Sequence, residues 1–287
     1  MTEQLQPTIV GVDGRAAGRG AVAWAVRRAG RLGGPIRLVF ALDFAEAPGL
    51  DSDEQLRAAA SRLLAAELDW ARQLPEAADV PLDGDVVEGD ATEVLAEHST
   101  GAAALVIGSD RSLPARDLLV GTRGMRVAAL AHAPVAVIPP RDDGPDRRAG
   151  GGGGGGPDDS ATAALSFAAA EAERLEQPLT LVSAWGIPPA LERIAQAMGG
   201  GLQPVGDGFA AQLAGLARRL HDAHPTVEVR TESVNEAPVR ALVSRGREAV
   251  ELVVGSHRHG AVGRLLLGSV GQGVLLNLPG PTVVVPV

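Results

Sequence analysis

The chain has 287 residues, enough for two domains of ordinary size, and 45% of them are apolar, so each domain can build a core, an aliphatic one given only 2% aromatics. A net charge of −9 argues against nucleic acid or an anionic membrane as the main partner. Cys and Lys are absent, which excludes disulfides, thiolate metal sites, Schiff-base chemistry and a phosphate-binding lysine.

No run approaches the roughly 18 apolar residues of a membrane span. The opening, Met1 to Pro7, has neither the basic end nor the apolar stretch of a signal peptide, so a cytoplasmic protein is expected. Thr8 to Gly14 reads as a short buried strand ending in a turn. Gly20 to Arg31 follows at helical spacing, closed by Gly33-Gly34-Pro35. Ile36 to Leu42 is a second strand with Asp43 just past its end, and Asp51 to Leu74 a long helix with Leu56, Leu63, Leu64 and Leu68 on one stripe. A weaker strand at Val80 to Glu88, a helix at Ala91 to Ser99 and a strand at Ala103 to Ile107 come next. A helix from about Thr122 to Ala131 and a strand at Val135 to Ile138 end the first half. Strand alternating with helix implies a parallel sheet covered on both faces, with ligands bound beyond the carboxyl ends of the strands. Asp13, Asp43 and Gly108 lie at such ends.

The second half reads the same way. Helices are expected at Ala163 to Leu175, Gly208 to Asp222 and Pro238 to Arg245, and strands at Leu179 to Ala184, Val227 to Val234 and Val250 to Val254. A signature repeats with it: Gly108-Ser109-Asp110-Arg111, nine residues, Gly121-Thr122 returns as Gly255-Ser256-His257-Arg258, nine residues, Gly268-Ser269. The two copies lie 147 residues apart, as do Pro134 and Pro281 before the closing apolar runs. One domain has been copied once. Each signature joins an apolar strand to a glycine loop and a helix start, which is how α/β folds hold phosphate.

Nearer the start of each half the offset is 143, set by Trp24 with Phe167 and Pro35 with Pro178, and it places Gly150 to Gly156 where the first strand belongs. Losing three buried aliphatics such as Ile9, Val10 and Val12 forfeits roughly 1.5–3 kcal/mol apiece. The glycines are therefore either a thin strand or a linker, and the second half is expected to depend on the first. The predicted division is 1–142, a glycine-rich linker or degraded strand at 143–157, and 158–287.

With these residues in view, the chain resembles the universal stress protein family in its tandem two-domain form. The resemblance rests on Val10-Gly11-Val12-Asp13-Gly14, on both glycine signatures and on Leu265-Leu266-Leu267-Gly268-Ser269-Val270. It implies two tandem open, mostly parallel five-stranded sheets with helices on both faces, the adenine nucleotide alpha hydrolase-like fold, the second copy with a degraded first strand. It also implies a non-enzymatic stress-response or signalling protein that binds ATP, with magnesium entering only alongside the nucleotide. Asp13 would meet the ribose or adenine, Ala41 would offer backbone to the base, and Gly108, Arg111, Gly121 and Thr122 would line the phosphates. Gly255, Gly268 and Ser269 are the matching positions of the second copy. The family further implies an intramolecular pairing of the repeats through their last strands, Val135–Ile138 and Val283–Val285, and a further homodimer is compatible with it.

Two departures from the family pattern bear on binding. Both copies carry Arg, at Arg111 and Arg258, where the pattern has its second glycine. A side chain there either obstructs the phosphate or replaces amide contacts by charge. In the second copy Gly156 stands opposite Asp13 and Glu236 opposite Gly89, so the first copy is the better candidate. The alternative is a nucleotide-free interaction and dimerisation module of the same fold. Other groups read as structural: Thr122 and Ser269 as helix N-caps, Trp24 and Phe167 as core, His257-Arg258-His259 as solvated loop. Hydrolysis of ATP finds no clear base.

Overall fold

Short aliphatic runs alternate with longer amphipathic segments along the chain, and the backbone follows that alternation. The computed structural model describes residues 5–44, 53–109, 119–140, 159–187, 190, 193–194, 197, 203–256 and 267–286. The chain forms two units, the first centred on Met1–Asp143 and the second on Gly144–His257 with Gly268–Val285.

The first unit runs β1 (Thr8–Gly11), α1 (Ala16–Leu32), β2 (Ile36–Leu42), α2 (Asp53–Arg72), β3 (Leu82–Glu88), α3 (Ala91–His98), β4 (Ala104–Gly108), α4 (Leu119–Leu130) and β5 (Val135–Ile138). The strands are parallel in the order β3-β2-β1-β4-β5. β1 is central, with Thr8 opposite Ile36 on one side and Ala104 on the other. The chain winds outward from β1 to β3 and then returns to β4, so the carboxyl ends of β1 and β4 flank the switch point where such sheets take ligands. Ile9, Val10, Leu38, Leu105, Val106 and Ile138 are buried between the helix layers. Buried on both faces, these strands read as continuous apolar runs. α1 packs with α2 and α3 with α4, one pair to each face.

The ends of the helices follow from local chemistry. Gly33 closes α1 in a left-handed conformation, φ 76°, its N–H donating to the Ala29 carbonyl at 2.7 Å. Asp90 caps α3, accepting from the N–H groups of Thr92 and Glu93. α1 starts at Ala16, before the Gly20 expected from the sequence. Gly18 and Gly20 are not breakers here; side chains there would begin 3.3 Å from the Asp13 carboxylate and 3.6 Å from the Pro139 carbonyl. α1 is tied to α2 by Arg19, whose Nε lies 3.1 Å from the carboxylate of buried Glu67 and whose guanidinium lies over Trp70. Trp24 is buried, as expected of core, and Phe167 is half-buried.

The second unit runs α5 (Asp159–Arg174), β6 (Leu179–Ala184), α6 (Gln203–Ala223), β7 (Val229–Val234), α7 (Pro238–Gly246), β8 (Leu252–Gly255), α8 (Ser269–Leu276) and β9 (Thr282–Val285). It repeats the first unit element for element from α1 onward. Its strands form two parallel pairs, β6 with β7 and β8 with β9. Among the described residues no strand stands between β6 and β8, the place that β1 holds between β2 and β4. α5 nonetheless packs against β6, β8 and β9, as α1 does against their counterparts. Gly150–Gly156, which the sequence sets at that place, lie outside the described residues.

Candidate functional site

At the switch point of the first unit β1 ends and the chain turns through Gly14, φ 75°. Val12 N–H donates to the Val39 carbonyl at 3.0 Å, the last bond between this segment and β2. Ala41, two residues further on, presents its backbone on the same edge, beyond the point where the first strand turns away. Asp13 hangs over the first turn of α1. Its Oδ1 accepts the Arg15 N–H at 3.0 Å, Arg15 Nε lies 3.7 Å from Oδ2, and 57% of its side chain stays open. A carboxylate held by a backbone turn, with its second oxygen left accessible, suits a sugar hydroxyl or a base amine.

Gly108 ends β4 on the other side of the same crevice. A side chain there would begin 2.3 Å from the Ala17 carbonyl oxygen and 3.0 Å from the Gly18 nitrogen. The glycine therefore lets the first turn of α1 press against the end of β4, bringing the helix N-terminus and the strand end together. The N-terminal amides of α1 supply positive potential beside Asp13. Gly121 and Thr122 lie within α4, whose first residue is Leu119, so Thr122 is not the N-cap expected of it. In α8 the cap is Gly268 and Ser269 is the first helical residue, without a side-chain capping bond. Arg111 and Arg258 lie outside the described residues, as do His257 and His259.

Polar groups frame the outer edge of this crevice. Arg57 of α2 lies over the Phe44 ring and is bonded to Glu88 at the end of β3. That hydrogen bond holds the Glu88 carboxyl below the usual carboxylate range and raises the Arg57 guanidinium. Burial pushes the Asp90 carboxyl up, but hydrogen bonds from Glu93 and Thr92 outweigh it and leave the group lowered. Leu63 of α2 reaches to within 3.6 Å of the side-chain position of Gly14, an apolar rim beside Asp13.

The corresponding end of the second unit is built differently. Gly255 ends β8, and buried Ser256 follows it, its hydroxyl without a hydrogen-bond partner among the described residues. Trp185 sits directly beyond β6, stacked on Phe209 at 6.0 Å and donating from Nε1 to the Ser233 hydroxyl at 3.0 Å. Gly206 admits that ring, since a side chain there would begin 2.8 Å from it. Trp185 stands at the position that Leu42 holds in the first unit, its indole packed against α6. Sequence reasoning passed over Trp185; an aromatic just beyond an apolar strand, in a chain with so few aromatics, was the available signal.

No described helix is long and apolar enough to cross a membrane. The parallel strands with helices on both faces make this an open-sheet α/β protein of the doubly wound type. The universal stress protein family profile matches residues 5–139 and again 155–286, and the chain belongs to that family in tandem form. Its relatives include a universal stress protein of Mycobacterium tuberculosis, 29% identical over 96% of this chain and 95% of the relative. One of Mycobacterium bovis is 29% identical with the same coverages, 96% and 95%. Among solved structures, a universal stress protein from Archaeoglobus fulgidus superposes with a TM-score of 0.67 at 16% identity, covering 98% of this chain and 96% of that one, a likeness of fold.

Proposed function

We propose that this chain is a non-enzymatic stress-response or signalling protein that binds ATP in its first unit and not in its second. The observation that carries the reading is the meeting of Asp13, the free backbone edge at Ala41 and Gly108 around the N-terminus of α1. Asp13 takes the ribose or adenine, the Ala41 backbone meets the base, and Gly108 with Arg111, Gly121 and Thr122 faces the phosphates. Magnesium accompanies the nucleotide as its counter-ion. In the second unit Gly156 stands where the first carries Asp13, so Gly255, Gly268 and Ser269 have no carboxylate at the matching position of the sequence. The protein works in the cytoplasm, apart from nucleic acid and membranes. Pairing of the repeats through their last strands, and further homodimers, belong to the same reading and draw on the tandem family match.

Mass spectrometry of small molecules released from the purified full chain tests this. An adenine nucleotide released from the wild type and lost from Asp13→Ala is the expected result. If nothing is released and millimolar ATP leaves the melting temperature unchanged, the nucleotide-free interaction module, which draws on Arg111 and Arg258, takes its place.

A further inference from the structure

Helix α1 opens with the wrong charge for its dipole. Arg15 is its N-cap, in extended backbone at φ −95° and ψ 161°, and makes no side-chain capping bond; no acid follows in the first turn. The amino end of a helix is positive and favours an anion, and good caps are Ser, Thr, Asp and Asn. α5 opens the other way. It begins with Asp159, and at the spacing of 143 between Ala16 and Asp159 the residue matching Arg15 is Asp158. The cation is thus a liability to its own helix and belongs to the first repeat alone.

Asp13 Oδ1 accepts the backbone N–H of Arg15 at 3.0 Å, whereas the side chain reaches the carboxylate only loosely. Its Nε stands 3.7 Å from Oδ2, too far for a hydrogen bond. With 63% of the Arg15 side chain and 57% of the Asp13 side chain exposed, such a pair holds weakly. Among the described residues the guanidinium has no other partner, and its planar fork of N–H donors suits phosphate. The Asp13 carboxylate lies 3.3 Å from the side-chain position of Gly18, and that of Gly108 falls 2.3 Å from the Ala17 carbonyl oxygen. Arg15 therefore rises from the turn that both the carboxylate and the end of β4 touch. We propose that Arg15 makes this site select a phosphorylated ligand over a bare nucleoside, a reading that rests on the first unit being the ATP site. The nucleotide parts the loose pair: its sugar or base takes Asp13, and the guanidinium turns to a phosphate. An anion then stands at the helix end, where the dipole favours one. A nucleoside displaces the same cation from Asp13 and offers it nothing in return.

Titration calorimetry of the full chain with magnesium ATP and with adenosine tests this, in the wild type and in Arg15→Ser. That substitution removes the cation, supplies a better helix cap and keeps the backbone N–H to Asp13. The wild type should bind ATP at least tenfold more tightly than adenosine. In Arg15→Ser, ATP should weaken tenfold or more while adenosine holds or tightens. Its melting temperature without ligand should equal or exceed that of the wild type, so the lost affinity does not come from a damaged fold. A ratio of the two affinities unchanged in Arg15→Ser would overturn the proposal and leave the ATP site standing. Equal weakening of both ligands is one form of that result and would make Arg15 a support of the turn. A wild type that binds neither ligand would remove the ATP reading, and this inference with it.

Discussion

Gly108→Ala is the sharpest test of how the crevice is built. The added methyl carbon would start 2.3 Å from the Ala17 carbonyl oxygen, 2.5 Å from its carbon and 3.0 Å from the Gly18 nitrogen. Carbon atoms pack comfortably at about 3.5–4.0 Å, so the end of β4 and the first turn of α1 must part by about 1 Å. Both walls are backbone, and no rotamer change relieves the overlap. Overpacking of this kind costs about 3 kcal/mol, the upper part of its usual range. For a unit of this size that lowers the melting temperature by roughly 10 °C. Gly124→Ala, inside α4, is the control: among the described residues its methyl meets the Ile107 side chain of β4 at 3.6 Å, an ordinary contact. It should raise stability by about 0.5–1 kcal/mol through helix propensity. Calorimetric melting of both variants decides. A Gly108→Ala melting temperature close to wild type, or a fall of equal size in Gly124→Ala, would refute the close approach of α1 to β4.

Arg19→Ala leaves Glu67 buried with its cation gone and should cost about 2–3 kcal/mol by urea unfolding, most of it recovered when Glu67→Leu is added. Asp90→Ala removes the cap of α3 and should cost about 1 kcal/mol at pH 7. The Asp90 carboxyl is lowered in the folded state, so its contribution is present above the unfolded value of about 3.9 and is lost as pH falls through the folded one. The difference between the melting curves of wild type and Asp90→Ala should therefore narrow below roughly pH 3–4. Trp185→Ala should speed hydrogen exchange in α6 and at the end of β6 without changing ATP affinity, which locates its role in the second unit.

Most strands were legible because they are aliphatic runs of the right length: Ile36–Leu42, Val135–Ile138 and Leu179–Ala184 stand where hydrophobicity alone places them. The site was legible in part, since Asp13 and Gly108 lie at the ends of such runs. What Gly108 is for was not, because its partner Ala17 is remote in sequence and only the folded sheet brings them together. The sequence set the start of α1 at Gly20, four residues late; Gly18 and Gly20 are where the Asp13 carboxylate and the Pro139 carbonyl come up to the helix. Ser99 shows the same limit: its buried hydroxyl accepts the His132 N–H at 2.8 Å, joining two turns that no local pattern connects.

Titration calorimetry of the full chain with magnesium ATP bears most directly on the central claim. One nucleotide per chain, weakened tenfold or more by Asp13→Ala through loss of a charge-assisted hydrogen bond, is what the asymmetry between the two units predicts. Two equivalent sites, no heat at millimolar nucleotide, or an affinity indifferent to Asp13 would contradict it.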